Sequence, residues 1–312
     1  MIIQTGMRTD IPAFYSEWFI NRIEAGYVLV RNPYNESQVT RYSLSPEVVD
    51  LIGFCTKNPA PMLSHMDRLK PYGQYWFVTI TPYGRDIEPN VPPKEKVMSD
   101  FIRLSETVGV DSVGWRYDPI FIDETHSVDW HISQFEKMAE RLAGYTRTCV
   151  ISFIDIYKKV ERNFPEARQV SKQDRIKIGQ AFIGIAKECG MTIKPCAEGD
   201  ELAQYGADCT GCMTVKTYET ALHICLDVPK QKSNQRNGQC ACFMGVDIGA
   251  YDTCGHLCKY CYANANTGLV KANMKRHDPK SPFLIGGAMP GGIIHIADQK
   301  SWIDGQMSLE LA

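Results

Sequence analysis

The sequence predicts an α/β fold, a (β/α)8 TIM-type barrel or a close variant of it. Three observations lead there. Short apolar or β-branched runs alternate with longer helical patterns through most of the 312 residues, as parallel βαβ units require. Polar and charged residues recur just after successive candidate strands, the rim where such barrels bind ligands. Ten of the twelve cysteines fall between Cys189 and Cys261, so the thiol chemistry is local and late in the chain.

Eight strands are expected, at 2–5, 27–31, 49–54, 75–80, 112–116, 148–153, 191–194 and 243–248. The helices between them carry recognisable ends. Pro92 and Pro93 precede Val97, Met98, Phe101, Ile102, Leu104 and Val108, and Gly109 closes the run, a proline-first and glycine-last order. Asp129 is the expected cap of a helix burying Ile132, Phe135, Met138, Ala139 and Leu142, which ends at Gly144. Ser171 with Asp174 forms a capping box ahead of Ile176, Ile178, Phe182 and Ile185, and Gly190 ends that helix. The expected organisation is one structural domain, with the barrel over 1–250 and a cluster-binding loop and tail over 251–312 packed on its mouth.

Composition narrows the function classes. Apolar residues make up 44% and charged residues 22%, ordinary for a soluble globular chain. A net charge of −2 gives no global attraction to nucleic acid or to an anionic membrane. The one basic stretch, Lys230 to Arg236, reads as a solvated loop, and a nucleic-acid repair lyase rests on it alone. No apolar run reaches membrane-spanning length and residues 1–10 lack the layout of a secretory signal, so the expected location is cytoplasmic. In a reducing compartment, clustered thiols point to metal binding or thiol chemistry.

The candidate rim residues are Arg8, Asp10, Lys57, Asn58, Arg116, Asp118 and Glu198. Arginine suits a planar carboxylate, and acids suit hydroxyls. Taken singly, each is as well explained as a turn or cap residue; as a ring at one phase of successive units they outline a lined pocket.

The sharpest motif is Cys254-Gly255-His256-Leu257-Cys258-Lys259-Tyr260-Cys261, a C-x3-C-x2-C run with an aromatic residue before the last thiol. Three thiolates on one loop can hold three irons of a [4Fe–4S] cluster and leave the fourth open. A zinc site is the competing possibility, completed by His256, by His277 or by the Cys209-x2-Cys212 pair, and would suit a zinc-stabilised barrel hydrolase. Cys55, Cys149 and Cys189 are expected to be buried free thiols.

This run resembles the motif of the radical S-adenosylmethionine superfamily, whose fold is a full or partial (β/α) barrel. The resemblance implies that Cys254, Cys258 and Cys261 bind the cluster, that S-adenosyl-L-methionine chelates the open iron, and that Tyr260 lies near its adenine. It implies reductive cleavage to methionine and a 5′-deoxyadenosyl radical, an electron donor such as flavodoxin or ferredoxin, and a small-molecule or peptide substrate. The superfamily carries this motif after the first strand, whereas here it follows the eighth; in a closed barrel the eighth strand neighbours the first, so the loop still reaches the rim beside Arg8 and Asp10. The glycine-rich strand end of that superfamily has only Gly286-Gly287 as an echo. More narrowly, the whole chain resembles an uncharacterised bacterial family, domain of unknown function 1848, in the blocks Arg8 to Phe14, Thr56 to Pro59, Trp115 to Ile120 and Asp247 to Asn264. That resemblance implies a second, auxiliary cluster on Cys196, Cys209, Cys240 and Cys242. Cys212 departs from the family's pattern and competes with Cys209, and Cys225 is a reserve. An iron–sulfur electron-transfer or sensing protein without radical chemistry is the alternative.

Overall fold

The structure, a computed structural model, describes residues 1–229, 242–243, 245–287 and 292–303. Its described strands are β1 (Ile2–Gln4), β2 (Tyr27–Asn32), β3 (Asn35–Ser43), β4 (Leu51–Thr56), β5 (Gly73–Thr79), β6 (Val113–Ile120), β7 (Thr148–Phe153), β8 (Thr192–Pro195), β9 (Val246–Asp247) and β10 (Ile293–Ile296). Seven of them form one all-parallel sheet in the order β8-β7-β6-β5-β4-β1-β9, compatible with a partial or open barrel. The late strand lies beside the first, as expected, with Ile3 opposite Val246 and Gln4 opposite Asp247. Among the described residues no ladder joins β8 to β9, and the sheet ends at those two edges.

The expected eight-strand count fails at β2. This strand leaves the parallel sheet and pairs antiparallel with β3, while β10 adds in parallel on the far side of β3. The physical reason is visible in its burial. Val28 and Val30 are buried and their neighbours are partly exposed, whereas Leu51 through Phe54 in β4 are buried without interruption. Alternation marks a strand with one wet face, and an unbroken apolar run marks a strand covered on both.

Within the parallel sheet the side chains sort by pleat. Trp76, Val78 and Trp115 join the core that also buries Phe101, Phe135 and Phe182 of the helices Lys94–Val108, Val128–Leu142 and Lys172–Glu188. Tyr75, Phe77 and Val150 belong to a second cluster with Tyr218 of the helix Val215–Leu222. Tyr218 is held there by Gln4 Nε2, which donates to its hydroxyl at 3.1 Å. The helix Val128–Leu142 is capped two residues earlier than expected: Ser127 Oγ accepts from Trp130 N at 3.2 Å, and Asp129 instead sits in the first turn, where its charge favours the helix N-terminus.

The chain after Asp247 does more than cover the mouth. Ser281 O accepts from Trp18 Nε1 at 2.9 Å and Pro279 O accepts from Asn21 Nδ2 at 2.9 Å, so this segment runs along the helix Ser16–Ala25 before reaching β10. No helix among the described residues is long and apolar enough to cross a membrane.

Candidate metal and cofactor site

A cavity of about 960 Å³ lies at the C-terminal ends of the parallel strands, at the upper end of the roughly 300–1,000 Å³ usual for small-molecule sites. Two groups of three cysteines line it, Cys254, Cys258 and Cys261 on one side and Cys196, Cys212 and Cys242 on the other, with Cys55 of β4 also on the wall. All described cysteines are free thiols.

The first group sits on the loop that follows β9, and the loop is tied down on both flanks. Toward β1, Thr253 Oγ1 donates to Thr9 Oγ1 at 2.8 Å, Tyr15 Oη donates to Thr253 O at 2.6 Å, and His256 Nε2 lies 2.9 Å from Asp10 Oδ2. Toward the segment 84–91, Asn90 Nδ2 donates to Gly255 O at 2.8 Å and Lys259 N donates to Ile87 O at 3.0 Å. Gly255 fits because a Cβ there would stand 2.7 Å from the Phe14 ring. Burial pushes all three thiols up, Cys258 to about 12, with further repulsion among the three sulfurs and relief from Lys57 at Cys258 and Cys261. Such thiols stay protonated unless a cation replaces the proton.

Beside this loop lies Glu88, which no sequence motif singles out. Its buried carboxylate accepts from Lys57 Nζ at 2.8 Å, from Thr81 Oγ1 at 2.6 Å, and from Lys94 and Tyr260. Burial opposes its charge, yet Lys57 and Lys94 outweigh it and hold Glu88 down at about 2. Lys57 also stands over the Tyr260 ring at 5.5 Å.

In the second group, Cys212 Sγ is 3.6 Å from Cys196 Sγ and 3.3 Å from Cys242 Sγ. Arg116 Nη1 is 3.8 Å from Cys212 Sγ, and the same guanidinium pairs with Asp118, which also accepts from Ser152. The hydrogen bond from Cys212 holds the Cys196 thiol down at about 7, against its burial and with help from Arg116. Among the described residues no three His, Cys, Asp or Glu side chains already stand as a set that would hold a metal ion; the three sulfurs are collapsed against one another.

The model of the family Domain of unknown function (DUF1848) matches residues 2–263. The chain belongs to this family. No curated protein matches it. The DUF1848 match covers every strand of the parallel sheet and ends just past Cys261, so both thiol groups lie within it.

The other sequence candidates divide in this DUF1848 chain. Arg8, Asp10, Lys57, Arg116, Asp118 and Tyr260 line the cavity. Arg8 is already paired with Asp247, through Nε to Oδ1 at 2.9 Å. Asp10 is shared by three donors, Ala13 N at 3.0 Å, Lys57 N at 2.8 Å and His256. Asn58 is a turn residue, its Oδ1 accepting from Ala60 N at 3.3 Å at the entry to the helix Ala60–Leu63. Glu198 lies outside the cavity, where it accepts from Phe153 N at 2.8 Å and faces Arg175 at 3.4 Å. Cys209 sits near Asp200 and Asp208, away from the cavity wall, whereas Cys212 lines the cavity. Cys240 and the basic stretch Lys230 to Arg236 lie outside the described residues. Cys55, expected to be an inert core thiol, faces the cavity instead. His256 is taken by Asp10, and His277 packs on Tyr15 with Nδ1 2.8 Å from Leu284 O; neither completes a zinc set with the cysteines.

Proposed function

We propose that the protein is a radical S-adenosylmethionine enzyme, with Cys254, Cys258 and Cys261 holding a [4Fe–4S] cluster and S-adenosyl-L-methionine filling the cavity beside it. The observation that carries this is the convergence of three thiols, Cys258 buried and Cys254 and Cys261 half-buried, from one clamped loop on a single large cavity at the strand ends. Three soft ligands suit iron–sulfur chemistry and leave a position free toward the cavity. With one electron from flavodoxin or ferredoxin, the bound cluster and cofactor would supply homolysis of a sulfonium carbon–sulfur bond.

The chain's own residues would bind and shield. Arg116 and Lys57 bring cations to the wall for a carboxylate, and Asp118 offers an acceptor for hydroxyls. Tyr260 is fixed by Glu88 and presents its ring between Lys57 and Tyr83. Tyr157, Tyr251 and Tyr262 line the mouth while remaining partly exposed, which limits water around a reactive centre. An auxiliary cluster belongs to the same proposal. Its substrate would be a small molecule or peptide that reaches past those tyrosines.

The test is anaerobic purification followed by iron and sulfide analysis, then reduction in the presence of S-adenosyl-L-methionine. Formation of 5′-deoxyadenosine that is lost in Cys258→Ser supports the proposal. Iron and sulfide without any cleavage would assign the protein to electron transfer or sensing, and zinc without sulfide would end both.

A further inference from the structure

We infer that Cys196 and Cys212 form a thiol–disulfide exchange couple on the cavity wall, with a low-molecular-weight disulfide as its substrate. The inference goes beyond the radical reading: it needs no metal at these two thiols and gives them a task other than an auxiliary cluster.

The sulfurs are placed to bond with one another. Cys212 Sγ stands 3.6 Å from Cys196 Sγ and 3.3 Å from Cys242 Sγ. Closing the first contact to the length of a disulfide, about 2.05 Å, takes a shift of roughly 1.5 Å. Side-chain rotation supplies a movement of that size. Cys196 directly follows β8, where its N–H donates to Ile151 O at 2.8 Å, and Ala197 then turns the chain with φ at 60°. Gly211, with φ at 117°, makes a turn just before Cys212. Both thiols are thus presented from turns, and neither is enclosed within a helix or a strand.

Their surroundings separate this pair from cysteines that only pack. Cys149 is buried in the apolar core, whereas Cys196 and Cys212 face a cavity of about 960 Å³, which is room enough for a small molecule. Cys196 is half-buried and Cys212 buried, so an incoming disulfide meets Cys196 first. Arg116 Nη1 lies 3.8 Å from Cys212 Sγ, and its guanidinium is fixed by Asp118 and by the Phe77 ring, 5.2 Å from the centroid. A fixed cation beside a partly exposed thiol favours the thiolate, the form that attacks a disulfide.

In the first step the Cys196 thiolate attacks one sulfur of the bound disulfide. A mixed disulfide forms, the substrate's S–S bond breaks, and one thiolate leaves. Cys212 Sγ then attacks the Cys196 sulfur and expels the second thiolate. The protons given up by Cys196 and Cys212 pass to the two leaving thiolates. Two protein thiols are oxidised to one disulfide, and one small disulfide is reduced to two thiols.

The test exposes the full chain, purified anaerobically, to oxidised glutathione as the probe, then alkylates the remaining thiols and maps the peptides by mass. The inference expects the loss of about two thiols per chain and a linked pair of peptides carrying Cys196 and Cys212. Cys212→Ser should stall with glutathione on Cys196, Cys196→Ser should abolish the reaction at this wall, and Cys209→Ser should react as the parent does. No reaction in the folded parent overturns the inference. So does a disulfide between Cys212 and Cys242 with Cys196 left free, glutathione on Cys209 or Cys225 in place of this pair, or iron and sulfide that Cys196→Ser removes from the anaerobic protein. Should a serine variant fail to fold, the parent's own peptide map still decides. A chain that forms the Cys196–Cys212 disulfide and makes no 5′-deoxyadenosine sinks the radical proposal and leaves this one standing.

Discussion

His256 Nε2 lies 2.9 Å from Asp10 Oδ2, and through this contact the three-cysteine loop is held to the end of β1 although 246 residues separate the pair. Asp10 is thereby a positioning residue. It caps the helix Ile11–Phe14 through Ala13 N, receives Lys57 N, and orients the histidine that lies between Cys254 and Cys258 in the chain. Asp10→Ala would leave these buried donors unsatisfied, at about 1–3 kcal/mol for each group stranded. The expected outcome is a lower denaturation midpoint with unchanged slope, and less iron per chain than in the parent protein at equal thiol content. Iron loading equal to the parent's would remove Asp10 from this role.

Glu88 makes a second prediction, in acid. Its carboxyl is held at about 2 in the folded protein, against 4.5 for an ordinary glutamate, because Lys57 and Lys94 outweigh the desolvation of burial. A depressed folded value contributes stability that is full above the unfolded value and is lost as pH falls through the folded one. Denaturant midpoints should therefore decline between about pH 4.5 and pH 2. Glu88→Gln should flatten that decline, and Glu88→Ala at neutral pH should lower the denaturation midpoint by leaving two partly buried ammonium groups without their carboxylate. A midpoint insensitive to Glu88→Ala would contradict the network.

Much of this arrangement was legible in sequence because it depends on local pattern. The buried runs of β4, β5 and β7, the capping box at Ser171 and the C-x3-C-x2-C loop are each written within a few residues of one another. Glu88 was not legible, since nothing in the segment Ile87-Glu88-Pro89-Asn90 says that lysines 31 residues before and six after will converge on it. Cys212 and Cys209 differ by three positions, and only the turn between them decides which one faces the cavity. The hairpin β2–β3 was readable in part: the alternation at Val28 and Val30 belongs to a half-exposed antiparallel strand, and the recurrence of βαβ units pulled it into the barrel count.

Glu198 gives a third prediction, of opposite sign to that at Glu88. Burial pushes its carboxyl up to about 7, with the Phe153 N–H and Arg175 only partly compensating. The unfolded chain releases this proton first as pH rises from 4.5, so the folded state loses stability between about pH 4.5 and pH 7 from this group. Glu198→Gln should be more stable than the parent near pH 7, with the gain vanishing near pH 4.5, as thermal melts across that range would show. Because Glu198 lies outside the cavity, its iron content should match the parent's. A drop in iron would return Glu198 to the site.

Gly114 carries the last prediction. It sits in β6 one residue before Trp115, and a Cβ built on it would stand 2.8 Å from the Phe77 ring and 3.0 Å from the Tyr75 hydroxyl. Both rings belong to the cluster that supports Tyr218 and Cys212. Gly114→Ala therefore overpacks a buried layer, a change that typically costs about 1–3 kcal/mol. Phe77 also lies under the Arg116 guanidinium, 5.2 Å from ring centroid to Cζ, so the displaced ring would shift the cation that faces Cys212. Gly114→Ala should lower the melting temperature. Pairing it with Phe77→Leu, which takes away the clashing ring edge, should recover part of the stability. Equal melting temperatures for Gly114→Ala and the parent would show that the layer yields without cost.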